Sequence, residues 1–223
     1  MDRSKDKKAF AVRGDYPRKA GLSQIRTLPA PARTYQGEAL EISSFWVVGM
    51  AWFKKKITSH QMGNILASVA VERSGFLFDE LQGLYGLTEL PEEQKFNLKL
   101  EVDVFVLFSV VAGVQFAISD KTIQETILDQ MHESVYELYA ETLGMNNTEL
   151  DKLEKLIQNR YASYFHVLQE YEGGDSMFRL GKQFVDNALG GDKSLLEIMA
   201  YIPGQYVIIS KNTKELVEKY RVR

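Results

Sequence analysis

Two stretches of this chain repeat apolar residues at steps of three and four for about six helical turns each, and that period fits a helical bundle better than any sheet. In Thr122–Leu143 the stripe is Ile123, Ile127, Leu128, Met131, Val135, Leu138 and Tyr139. In Thr148–Tyr171 it is Leu150, Leu153, Leu156, Ile157, Tyr161, Tyr164, Phe165 and Leu168. Each reads as an amphipathic helix that buries one side.

The punctuation agrees. Thr58-Ser-His-Gln61 has the form of a capping box, with Ile57 and Met62 placed as a hydrophobic staple. Asn146-Asn-Thr-Glu149 repeats that logic between Met145 and Leu150. Pro91-Glu-Glu suits a first helical turn, and Asp175 and Asp192 follow glycines where N-caps are expected.

One segment fits two periods. Phe96-Asn-Leu-Lys-Leu-Glu-Val-Asp-Val104 alternates as a half-buried strand would, yet Phe96, Leu100, Val104, Leu107, Val111, Val114 and Ile118 fall at helical spacing. The start signal at Pro91 and the lack of a turn residue before Gly113 favour a helix that is apolar all round, hence central and buried. The expected fold is therefore all-α, a bundle of about seven or eight helices. The alternative is α+β, with a small sheet using 45–53, 96–108 and 206–209.

Residues 1–37 read as an irregular arm, extended or disordered, ahead of a single helical domain over 38–223. Three of the five prolines lie in the arm. Residues 1–33 hold nine basic and three acidic residues, whereas the rest of the chain holds 18 basic and 27 acidic. A basic arm before an acidic body suits a strap, or a contact with an anionic partner. Within residues 1–33 only Phe10 and Tyr16 could stack on bases, so nucleic acid ranks below a protein partner.

There is no cysteine, which excludes disulfides, thiolate nucleophiles and sulfur-ligated zinc, and fits a cytoplasmic setting. The longest apolar run, Val104–Ile118, is 15 residues long and is broken by Ser109 and Gln115, short of the ~20 that a spanning helix needs. Integral insertion is not expected.

No catalytic set emerges. Asp129 and His132, three apart on one helix face, could hold a divalent metal, but a four-helix di-iron site needs a second such pair and two further carboxylates. Glu101 and Asp103 are too close in sequence to share a helix face, and Lys99 with Asp103 reads as an i,i+4 ion pair. The stretch 173–183 lacks the glycine spacing of a phosphate loop, and its glycines read as a helix stop. Tyr161, Tyr164 and His166 could line a ligand pocket between helices.

The apolar run Phe45–Phe53 followed by Lys54, Lys55 and Lys56 reads as a short helix whose lysines complement its C-terminus. Trp46, Trp52 and the three lysines are the candidate partner-binding residues. These readings favour a non-catalytic binding or adaptor protein acting through a protein partner or self-association. A metal- or small-ligand-binding bundle around Asp129 and His132, and a peripheral membrane protein using 45–56, are the alternatives.

Overall fold

A computed structural model describes residues 55–84, 87–170, 174–190 and 195–223. Six α-helices account for most of these residues: α1 (Ser59–Leu84), α2 (Glu92–Ala117), α3 (Lys121–Leu143), α4 (Asn147–Glu170), α5 (Gly174–Leu189) and α6 (Leu196–Glu218). A 3₁₀ turn at Leu87–Glu89 joins α1 to α2. Two three-residue strands, β1 (Lys55–Ile57) and β2 (Tyr220–Val222), pair in parallel at the ends of the described chain. The all-α bundle expected from the periodicity is what forms, with six helices among the described residues.

The helix boundaries follow the chemistry of the caps. Gln61 N–H donates to Thr58 Oγ1 at 3.1 Å, and Thr58 N–H donates to Gln61 Oε1 at 3.0 Å, so the capping box is closed in both directions. Asn146 and Glu149 make the same reciprocal pair at α4. Asp120 caps α3 by accepting from Thr122 and Ile123. Gly144 ends α3 with φ 64°, a left-handed stop that favours glycine. Asp175 lies inside the first turn of α5, where it pairs with Arg179 at 3.0 Å; it is not the cap residue. Asp192 lies outside the described residues.

The ambiguous segment is helical. Every residue from Glu101 to Val114 is buried, because α2 is covered by α1 and α6, with α5, α4 and α3 around it. The alternation in 96–104 does not become a strand: a helix enclosed on all sides needs no amphipathic stripe. Residues 206–209 lie within α6, so the α+β alternative falls too. The short sheet that does form uses Lys55–Ile57 and Tyr220–Val222. Lys55 and Lys56 are thus exposed strand residues and do not close a helix. Trp46, Trp52, Lys54 and the rest of 45–53 lie outside the described residues, as does the basic arm. By length and composition α2 itself is long and apolar enough to cross a membrane, more than the 15-residue run Val104–Ile118 alone suggests, but it is mostly buried among its neighbours, as a core helix is.

The core is aromatic at its centre. Phe108 on α2 meets Tyr164 and Phe165 of α4 at ring-centroid distances of 5.1 and 4.8 Å and stacks on Tyr206 of α6 at 5.6 Å. Phe105 makes edge contacts with Tyr164 and with Phe184 of α5.

Glycine permits the closest helix crossings. A methyl group built on Gly113 would lie 2.6 Å from Ser210 O of α6. One on Gly181 would lie 1.9 Å from Met199 O, so α5 meets the backbone of α6 there. Pro203 lies inside α6 and has no N–H for the carbonyl four residues back, which is that of Met199. The freed oxygen faces the bare Cα of Gly181, a geometry suited to a weak Cα–H···O contact. Gly181 is therefore a mid-helix crossing point, and its reading as part of a helix stop is corrected.

Candidate functional site

Two polar clusters are centred on carboxylates of α2, and a further one joins α3 to α4. In the first, Glu101 Oε1 accepts from Tyr164 O–H at 2.5 Å and from Asn187 Nδ2 at 3.0 Å. Its Oε2 accepts from Arg160 Nε at 3.0 Å. Arg160 and Gln183 both donate to Asn187 Oδ1, at 2.9 Å each. One carboxylate on α2 thus gathers two side chains of α4 and one of α5, itself braced from the same helices. Burial raises the Glu101 carboxyl above its ordinary value, and its bonds to Tyr164, Arg160 and Asn187 offset only part of that.

The second cluster lies on another side of α2. Asp103 accepts from Lys99 Nζ, the i,i+4 pair expected from the sequence, and from Tyr139 O–H of α3 at 2.6 Å. Burial and the neighbouring Asp103 carboxylate push the Tyr139 hydroxyl well above its ordinary value. Glu101 and Asp103 therefore serve different helices and share no site.

The third joins α3 to α4. His132 Nδ1 lies 2.8 Å from Leu128 O, and its Nε2 lies 3.0 Å from Tyr161 O–H. A carbonyl can only accept, so Nδ1 carries the proton and Nε2 accepts from the phenol, which defines one neutral tautomer. Burial lowers the His132 pKa, ahead of the opposing effects of Leu128 and Asp129.

Asp129 is exposed, one turn from His132. Among the described residues, no group of three or more His, Asp or Glu side chains is placed to hold a metal ion. Tyr161 and Tyr164 point inward to separate partners, His132 and Glu101, while His166 is exposed and pairs with Glu170 at 3.0 Å. Of the three proposed pocket residues, Tyr161 and Tyr164 thus both pack on Phe108 but bond to different partners, and His166 lies on the surface. Every buried side-chain nitrogen or oxygen among the described residues has a hydrogen-bond partner. The clusters tie helix to helix.

Apolar surface is the other feature. Leu196, Val207 and Ile208 of α6 are 59, 50 and 47% exposed, and Ala200 and Gly204 between them are exposed as well. Leu196, Ala200, Gly204 and Ile208 follow one i+4 ridge, with Val207 beside it. This ridge can be read from the sequence by its spacing, whereas Arg160, Gln183 and Asn187 had no local signal. The described chain is thus a helical bundle with an internally paired polar interior and an apolar ridge on its last helix. The chain matches no protein-family model, no curated protein and no solved structure.

Proposed function

We propose that this is a non-catalytic protein that works through protein contacts, and that α6 supplies the contact. The observation that carries this reading is the exposed ridge Leu196–Ala200–Gly204–Ile208 with Val207 at its side. The ridge is self-complementary. Its four members are placed symmetrically about position 202, so an antiparallel second copy sets Leu196 against Ile208 and Ala200 against Gly204. Small residues then meet at the centre, where backbones must approach, and large ones close the ends. Such i±4 ridges pack into each other's grooves at about −50°, and a two-fold axis makes the contact isologous.

Covering three half-exposed aliphatic side chains returns on the order of 1 kcal/mol each, so the association is weak and depends on concentration. Sedimentation velocity on the full chain tests it. The protein should shift from monomer towards dimer as loading rises, and Ile208→Asp should abolish the shift while leaving helical content unchanged. A monomer at every concentration would refute the self-contact.

A further inference from the structure

The apolar ridge of α6 has a neighbour on the same outer surface. Arg73 of α1 donates to Gln205 Oε1 of α6, and Tyr201 O–H of α6 donates to Glu80 Oε2 of α1 at 2.9 Å. Arg73 Nη2 also donates to Glu80 Oε2 at 3.3 Å, which joins the two bridges into one chain of bonds. From 73 to 80 on α1 the partners fall from 205 to 201 on α6, so the two helices run antiparallel. Phe76 stands between Arg73 and Glu80 at steps of three and four, on the face that both turn towards α6. Its large ring is nevertheless 57% exposed. We propose that Phe76 completes the self-contact, covered in the dimer by α1 of the second copy, an extension that rests on the α6 contact itself.

Size, symmetry and level select this occupant. Five residues on one helix fall far short of the roughly 20–30 per side that a specific interface uses, so a specific contact has to spread beyond α6. The two-fold axis that exchanges antiparallel α6 helices runs crosswise between them. Rotation about it reverses chain direction but keeps on one side of α6 whatever flanks it there. The α1 helix of each copy therefore comes to face the α1 of the other. The bridges also fix the level of Phe76. The midpoint of Tyr201 and Gln205 is position 203, one residue from the centre of the ridge at 202. An aromatic side chain at the centre of a contact, held in place by bridges on both sides, is the type of residue that anchors interfaces. The contact then comprises four helices, α1 and α6 from each copy.

The chain has two tryptophans, so Trp46→Phe and Trp52→Phe leave a background for single reporters. Phe76→Trp places one on α1. Phe116→Trp places a comparably exposed one on α2, which packs against the buried side of α6. As loading of the full chain rises through the range where dimer forms, emission from position 76 should shift to the blue and its acrylamide quenching should fall several-fold. The reporter at 116 should not change. Phe76→Ala should raise the dimer dissociation constant about tenfold or more, with far-UV circular dichroism unchanged. A dimer that Ile208→Asp abolishes, but that leaves position 76 exposed and is indifferent to Phe76→Ala, would overturn the role of α1 and leave the α6 contact standing. Equal changes at 76 and 116 would overturn the placement of the contact on α1. A parent that stays monomeric at every loading would overturn both readings together.

Discussion

Gly181→Ala should destabilise the protein although alanine is the better helix former. The added methyl would lie 1.9 Å from Met199 O, 2.7 Å from Met199 C and 2.9 Å from Met199 Cα. These are backbone atoms, so no side-chain rotation relieves the clash. Ordinary contact begins near 3.4 Å, which requires α5 and α6 to separate locally by about 1.5 Å. Overpacking of this kind costs roughly 1–3 kcal/mol, and the opened seam beside Phe184 and Ile198 adds to it. Helix propensity returns about 1 kcal/mol. The net expectation is a loss of about 2 kcal/mol, or a fall in Tm of about 4–8 °C for a chain of this size. Gly75→Ala is the matched control, because Gly75 is also within a helix but has nothing within 4 Å of the added methyl. It should stabilise by about 0.5–1 kcal/mol. Urea unfolding of the two variants beside the parent measures both. Gly181→Ala at or above the parent's stability, with α5 and α6 intact, would refute the close crossing.

Two further expectations concern pH. Glu101 has a raised pKa in the fold, so its contribution to stability is full below about 4.5 and is lost as pH rises through the folded value. Relative to Glu101→Gln, the parent should lose stability with rising pH across that window, by no more than about 1.4 kcal/mol per pH unit; a parallel pair of profiles would contradict this. His132 behaves oppositely. With its pKa lowered by burial, it favours the fold above about 6.5, and that contribution is lost as pH falls through the window below. Its imidazole resonance, assigned by its disappearance in His132→Gln, should titrate below 6.5, and titration at or above that value would contradict the buried neutral tautomer.

Much of the local design was legible because it depends on neighbours in sequence. The boxes at Thr58–Gln61 and Asn146–Glu149, the Lys99–Asp103 pair and the stripes of α3 and α4 each need residues only three or four apart. The missed features depend on distant partners. Tyr164 and Asn187 reach Glu101 from other helices, so a buried carboxylate in an apolar helix gave no hint of how it was paired. Gly181 faces a carbonyl freed by Pro203 on another helix, and only the tertiary structure brings the two together. Lys55 and Lys56 became strand residues because β2, far along the chain, offers them a partner; three residues hold too little pattern to announce it.

The two-fold α6 contact can be tested by site-specific cross-linking, since a chain without cysteine accepts single engineered thiols cleanly. Antiparallel pairing about position 202 sets the two copies of residue 200 about 6 Å apart along the helix axis, and the two copies of residue 215 about 39 Å apart. Ala200→Cys should therefore form a covalent dimer with a short bis-maleimide, and Glu215→Cys, on the same exposed face, should not. Equal yields at both positions, or no dimer from Ala200→Cys at concentrations where the parent self-associates, would contradict the proposed contact.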